Sequence, residues 1–174
     1  MNSMEKDENP WSVIVALDDI PETGLHTEIE AAEAVRAGIA RLAGLRELPR
    51  LSAVFDLTRR GSGVHVAGQV RAHLGQICVV TLEPIESDLV EAIDLVYAPA
   101  AQTQEKDLKL DEEPPEMLVD DNIDLGAIAT EFLLLGIDPY PRKAGAEFAP
   151  IKVDDAGARP FAALEALKKR LGNS

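Results

Sequence analysis

The stretch Asn122-Ile-Asp-Leu-Gly-Ala-Ile-Ala-Thr-Glu-Phe-Leu-Leu-Leu-Gly-Ile-Asp-Pro-Tyr-Pro141 decides the fold, because it is the most apolar helix candidate in the chain. Either Asn122 or Asp124 is suited to cap the helix, since both side chains accept hydrogen bonds from free backbone N–H groups. Leu133 and Leu134 widen its apolar stripe, which predicts burial on more than one side. The stripe itself, which we expect to anchor the helix, is Leu125, Ile128, Phe132 and Leu135.

The two flanks of this helix differ in character. After it, Gly136 is expected to close the helix in a left-handed conformation, and Pro139 prevents its continuation. Before it, residues 105–124 hold nine acidic residues against two lysines, which is half of the chain's net charge. Because Pro114 and Pro115 lie within this acidic run, residues 105–121 are predicted to form a mobile, solvated arm.

Length and composition restrict the class of protein. The 174 residues fit a single domain, residues 1–174, with a flexible leader at residues 1–10. No apolar run is long enough to cross a bilayer, and the polar N-terminus lacks the order of a secretory signal, so we predict a cytoplasmic protein. The single Cys78 excludes an intramolecular disulfide framework and a multi-thiolate zinc site. A net charge of −14 disfavours generic binding to a polyphosphate backbone.

The N-terminal part reads as a strand followed by a helix. Residues 11–17 form a short apolar strand run. The pattern Thr27-Glu-Ile-Glu30 is typical of a capping box, in which two side chains satisfy two backbone donors. We therefore predict a one-sided surface helix over residues 27–44, ended by Gly44. Its apolar stripe is Ala32, Val35, Ile39 and Leu42.

The middle of the chain changes to a period of two, which indicates strands with one wet face. Four runs are strand candidates, either because apolar and polar residues alternate in them or because they are short and apolar. They are residues 51–57, 64–74, 77–82 and 89–97. Turn residues separate them, so they are predicted to form an antiparallel meander rather than a parallel sheet.

These elements together predict an α+β fold. We expect an antiparallel sheet of four to six strands, covered by the helix at 27–44, the helix after Asp124 and a last helix at residues 159–171. The last helix is supported by Pro160 at its first position and by an apolar stripe from Phe161 to Leu171. Whether the sheet closes into a barrel is left open.

The residues that carry chemistry favour no catalytic or metal site. Cys78 lies in an apolar run and is predicted to be a buried core residue, since free cysteines are usually buried. His65 and His73 share one strand face but are too far apart to bind one metal ion, and His26 precedes the predicted cap. We therefore predict no catalytic residue, no cofactor and no metal ligand.

Two kinds of charged cluster are candidates for binding a partner. Arg59, Arg60 and Arg71 are candidates to line one face of the sheet as a local basic patch, although scattered solvated charges are the favoured interpretation. Lys168 and Lys169 make a second basic cluster at a helix end, where the helix dipole also favours cations. The acidic candidates within the arm are Asp111, Glu112 and Glu113.

Three segments, read in order, resemble the YceD family. They are the stretch from Ile123 to Pro141, the C-terminal Pro160-Phe-Ala-Ala-Leu-Glu-Ala-Leu-Lys168, and Cys78-Val-Val-Thr-Leu-Glu-Pro84. Their order and spacing are similar to the family over roughly residues 50–171. This chain departs from the family at one position. The family has Cys-x-x-Cys, and Thr81 stands here in place of its second cysteine, so a zinc or redox role of two-cysteine relatives is not carried over.

That family is described as large ribosomal RNA subunit accumulation proteins. The resemblance implies a non-enzymatic bacterial factor that binds ribosome-assembly components, either basic proteins or large-subunit ribosomal RNA precursor. The acidity of the chain favours the protein partner slightly. Two alternatives stay open, namely a small-molecule or metal-dependent enzyme and an interaction module unrelated to ribosomes.

Overall fold

The structure is a computed structural model that describes residues 9–98, 116–118 and 121–147. The chain divides into two units, Met1–Ala144 and Gly145–Ser174, and every element below belongs to the first. The predicted helix at residues 159–171 and residues 105–115 of the predicted acidic arm lie outside the described residues.

An open antiparallel sheet forms the centre of this unit. Its strands are β2 (Leu25–Glu30), β3 (Glu47–Arg60), β4 (Gly63–Ile77) and β5 (Pro84–Ala98), each paired with the next in chain order. A short β6 (Glu116–Met117) adds to β5 in the parallel direction, within the segment predicted as a mobile arm. The α+β class and the antiparallel meander are confirmed, and the sheet does not close into a barrel.

Alternation of side chains explains why these strands form and which face they bury. Apolar residues at every second position of β3 and β4 point to one side, where they are removed from water. Gly61 makes the turn between β3 and β4 with φ +61°, a left-handed conformation that glycine adopts without strain. The residues buried in this way include Leu51, Ala53, Phe55, Leu57, Val64, Val66, Val70, Ala72 and Leu74.

The predicted helix over residues 27–44 is wrong in its first part. Residues 25–30 are strand β2, and Thr27 pairs with Phe55 of β3 rather than capping a helix. Helix α1 (Glu33–Leu42) begins only after Ala32, which supplies no side-chain cap. The β3 ladder pairs the backbone N–H and C=O groups on one edge of β2, and this pairing outweighs the local capping pattern. Gly44, with φ +64°, follows the helix end as predicted.

The predicted third strand at residues 77–82 is also wrong. Strand β4 already ends at Ile77, and residues 78–83 form a turn that leads into β5. Within this turn, Leu82 N–H donates to the Cys78 carbonyl at 2.9 Å, and Leu82 itself has φ +60°. The apolar composition of this segment does not reflect a buried strand, since Val79 is 46% and Leu82 is 75% exposed.

The apolar run near the N-terminus pairs with the first residues of the 122–141 stretch in a second, two-stranded sheet. Strand β1 (Ile14–Ala16) pairs with β7 (Asn122–Asp124) in antiparallel register, and a 3₁₀ turn (Leu17–Asp19) follows β1. Helix α2 (Leu125–Gly136) starts directly after β7. Gly126 fits here because a Cβ at this position would lie 2.7 Å from the Trp11 carbonyl oxygen.

Helix α2 is confirmed, with two corrections. Asp124 caps it by accepting from the backbone N–H groups of Gly126 and Ala127. Gly136 does not adopt the predicted left-handed conformation, and the helix ends at an extended Ile137. The expected anchor Leu135 is 73% exposed, whereas Leu133 is fully buried.

Both helices and the apolar sheet face share one hydrophobic core. Ile39 of α1, Ile128 and Leu133 of α2, and Phe55 of β3 belong to the same buried cluster. The sheet therefore buries one face against helices and presents its other face outward. None of the helices in the described residues is long and apolar enough to cross a membrane.

Candidate functional site

The outer face of the main sheet carries the side chains that point away from the core. On β4 these are the odd-numbered residues from His65 to His73, and strand pairing places them between residues of β3 and β5. Even the apolar members of this face are open to solvent, since Val90 is 54% and Val96 is 45% exposed. We call this surface the outer sheet face. The side chains on the opposite face of the same strands are buried in the core.

All three histidines of the chain lie on the outer sheet face, and each contacts an aspartate on a neighbouring strand. Because the strands are antiparallel, residues in register stand close enough for such cross-strand contacts. His73 has a second carboxylate neighbour, Glu86, at 3.4 Å. The three histidine–aspartate contacts are His26–Asp56 at 2.7 Å, His65–Asp94 at 2.7 Å and His73–Asp88 at 2.8 Å.

These contacts favour the charged form of one histidine. The hydrogen bond to Asp88 raises the pKa of His73 above its ordinary value, partial burial opposes this, and Glu86 adds to the rise. His73 and His65 were predicted to be surface histidines, and their rings lie partly exposed at the outer sheet face. The prediction placed His26 before a helix cap, but it lies in β2.

The outer sheet face has an excess of negative charge. Six carboxylates and three guanidiniums point outward from its four strands, as follows from strand parity and register. The carboxylates outnumber the positive groups even when His73 is counted as charged, so the face is net negative, attracts positively charged partners and repels polyphosphate. The carboxylates are those of Glu28, Glu30, Asp56, Glu86, Asp88 and Asp94, and the guanidiniums those of Arg50, Arg60 and Arg71.

The predicted basic patch does not assemble as a unit. Arg60 and Arg71 lie on the outer sheet face, where Arg71 Nε donates to Gln69 Oε1 at 2.8 Å. Arg59 has the opposite parity, beyond Leu57 on the buried side of β3. Its guanidinium donates to the carbonyl oxygens of Ile20 and Leu17, which ties the N-terminal segment to the sheet.

The remaining predicted partner-binding residues lie outside the described residues, in the acidic segment and near the C-terminus, and their roles stay predictions. They are Asp111, Glu112, Glu113, Lys168 and Lys169.

A groove between α1 and the start of β3 was missed at the level of sequence. Its volume is about 480 Å³, and three arginines line it: Arg36, Arg41 and Arg46. We call it the arginine groove. In the sequence these arginines recur every five residues. A spacing of five residues is typical of neither one helix face nor one strand face, so it does not by itself predict a shared site. The turn after α1 brings Arg46 to the other two.

The turn after β4 surrounds the single cysteine. Cys78 is fully buried, as predicted, and its sulfur accepts from the backbone N–H groups of Lys143 at 3.3 Å and Thr81 at 3.4 Å. The Lys143 ammonium also binds Glu83 at 3.0 Å, and Val79 N–H donates to the Pro141 carbonyl. Hydrogen bonds and an ion pair therefore join this turn to the segment after α2, with the cysteine sulfur between them.

Backbone donors make the Cys78 thiol more acidic than usual. The N–H of Lys143 first, and then the Thr81 contacts, lower the pKa of Cys78 from 9.0 to about 6, although burial acts in the opposite direction. Hydrogen bonds to a thiolate stabilise the charged form, so the folded protein binds this proton less tightly than the unfolded chain.

We expect folding stability to depend on the ionisation of Cys78. Below about pH 6 the thiol is protonated in both states and contributes nothing; between about 6 and 9.0 its contribution rises, and above that it is fully present. Because other groups, such as His73, also make stability depend on pH in both proteins, the measurement is the difference in free energy of unfolding between the wild type and Cys78→Ser. This difference should move in favour of the wild type as the pH rises from 6 to 9, and a constant difference would contradict the assignment.

The model of the family "Large ribosomal RNA subunit accumulation protein YceD" matches residues 66–168, which is more than half of the chain. The chain belongs to the YceD family. No curated protein and no solved structure matches it.

The YceD match covers particular parts of the fold. It begins within β4 and includes β5, the cysteine turn and α2, so it contains all three segments whose resemblance was noted from sequence. Strands β2 and β3 and the arginine groove precede the matched residues. The YceD family name implies a role in the accumulation of large-subunit ribosomal RNA, and it describes the family as an accumulation factor.

Proposed function

We propose that this protein is a non-catalytic binding factor that supports large-subunit ribosomal RNA accumulation in the cytoplasm by contacting basic ribosomal or assembly proteins. The observation that carries the proposal is the outer sheet face, an open surface with six carboxylates against three guanidiniums. Complementary charge speeds encounter and selects partners of opposite sign. Family membership supplies the connection to ribosomal RNA.

The placement of the reactive side chains supports a binding role. Cys78 is fully buried against backbone donors, and each histidine contacts its own aspartate on the outer sheet face. Reactive cysteines lie in partly exposed sites, whereas fully buried cysteines are inert. The burial of Cys78 therefore keeps its acidic thiol from a substrate, and the histidines lie apart from it on the outer sheet face.

The proposal is tested by co-sedimentation with large-subunit precursors from cell extract. Replacing Glu28 and Glu30 together by glutamine removes two carboxylates from the outer sheet face, and we expect a weaker association that is also less sensitive to salt. The matched control is Glu22→Gln with Glu131→Gln, which removes the same charge elsewhere. Absence of the wild-type protein from the precursor fractions, or equal losses in both double variants, would refute the proposal.

The acidic segment is proposed as a second contact with basic proteins. Its residues Asp111, Glu112 and Glu113 precede β6, and Leu118 just after β6 is buried in the core. A deletion should therefore remove residues 105–115 only and leave the β6 pairing intact. We expect reduced co-sedimentation of this deletion variant, while undiminished association would eliminate the segment as a contact.

The positively charged candidates are proposed to tune these contacts. Arg60 and Arg71 lie among the outward-facing carboxylates, where they restrict which partner charges fit. Lys168 and Lys169 are proposed as a separate basic contact.

A further inference from the structure

The arginine groove differs from the rest of this acidic protein in charge and shape. It lies between α1 and the first residues of β3, and the buried residues that line it, Ala40, Leu45 and Leu48, are apolar. Its volume of about 480 Å³ falls within the range of small-ligand clefts in proteins. It is separate from the outer sheet face, because α1 packs in the core on the other side of the sheet.

The guanidiniums of the groove are held in place by the local fold. Arg36 Nη1 donates to the Ala31 carbonyl at 2.6 Å, and Arg41 Nε donates to the Ala37 carbonyl at 3.3 Å. A guanidinium has five N–H donors, so one such contact orients the group and leaves further donors for a ligand. Orientation before binding reduces the entropy that a ligand must otherwise overcome.

The charge balance of the groove favours an anionic ligand. Glu33 and Glu47 also line it, but Glu47 contacts Arg46 at 3.0 Å, and the three arginines outnumber the two carboxylates. Guanidiniums match phosphate oxygens in geometry and are the usual side chains for nucleic-acid phosphates. The buried apolar lining beneath them suits an unstacked base, which single-stranded RNA presents and a duplex keeps stacked.

We propose that the arginine groove binds the sugar-phosphate backbone of single-stranded RNA through Arg36, Arg41 and Arg46. This inference rests on the proposed function, since that function brings the protein to ribosomal RNA precursors. It assigns the two partners to different surfaces: basic protein to the outer sheet face and RNA to the groove. It also places RNA contact in a part of the chain that precedes the family match.

The test measures binding of the full-length protein to a short, labelled single-stranded RNA of mixed sequence over a series of salt concentrations. In Arg41→Gln with Arg46→Gln, we expect the affinity to fall roughly tenfold per arginine. The slope of log affinity against log salt should become shallower by about 1.4, since each phosphate contact on a single strand contributes about 0.7. Unfolding curves of the variant should match the wild type, which separates loss of contact from loss of fold.

The matched control removes the same charge from the outer sheet face through Arg60→Gln with Arg71→Gln. The proposal predicts an unchanged salt slope for this variant. It is overturned if the wild type does not bind the RNA at low salt, if both double variants lose affinity equally, or if duplex RNA binds more tightly than the single strand. It is also overturned if an acidic peptide, and not RNA, loses affinity specifically in the groove variant.

The two proposals fail in different ways. Loss of precursor co-sedimentation with intact RNA binding by purified protein removes the proposed function and leaves the groove as an RNA site. Precursor co-sedimentation that depends on Glu28 and Glu30, without RNA binding at the groove, removes only the further inference.

Discussion

Leu133→Ala is expected to lower the free energy of unfolding by about 3 kcal/mol, the middle of the range for a buried leucine. Leu133 is fully buried in the core between α2 and the sheet. Its truncation removes apolar contact and leaves a cavity that the neighbouring β-sheet residues fill only partly, because packed strands move little. Chemical denaturation followed by circular dichroism measures the change.

The matched control for this variant is Leu135→Ala, two residues further along the same helix. Leu135 is 73% exposed, so its truncation should change the free energy of unfolding by no more than about 0.5 kcal/mol. Equal destabilisation by the two variants would mean that α2 is rotated relative to the orientation described, with its 135 side inward.

Asp124→Ala is expected to cost about 3 kcal/mol, more than the loss of an ordinary helix cap. One carboxylate here serves both α2 and the N-terminal segment. Its Oδ1 accepts from the N–H groups of Gly126, Ala127 and Val13, and its Oδ2 accepts from the Ser12 hydroxyl at 2.7 Å. Removing it frees the helix donors and also removes the contacts that hold Ser12 and Val13, just before β1, against the start of α2. Thermal and denaturant unfolding report the loss.

Two variants separate these contributions. Asp124→Asn keeps one accepting oxygen and should retain about half of the stabilisation, because an amide accepts hydrogen bonds more weakly than a charged carboxylate. Ser12→Ala removes only the hydroxyl contact and should cost less than about 1 kcal/mol. If Ser12→Ala were as costly as Asp124→Ala, the capping of α2 would not be the main role of this carboxylate.

Residue spacing in the sequence predicts the side of the sheet on which each arginine lies, but it does not predict the arginine groove. Strand parity already assigns Arg60 and Arg71 to sides opposite the buried Leu57 and Val70, and the structure agrees. The same parity puts Arg59 on the buried side, so its grouping with the other two overlooked a rule that the sequence contains. The arginine groove needed more than parity, since a helix, a turn and a strand each supply one part of it.

The antiparallel meander and the family follow from the sequence alone, and the cap of α2 is narrowed to Asn122 or Asp124, because each depends on local or ordered patterns. A period of two assigns alternate residues to opposite faces whatever the partner strand, and an aspartate before an apolar helix binds its own N–H groups.

Only the tertiary structure decided the state of residues 27–30, the buried side of α2 and the groove. Thr27 to Glu30 satisfies the pattern of a helix start and that of an edge strand, and pairing with β3 selects the strand because it supplies partners for the backbone. Helix α2 is apolar nearly all round, so its sequence does not distinguish Leu133 from Leu135. The sheet and the N-terminal segment that pack against it make that choice.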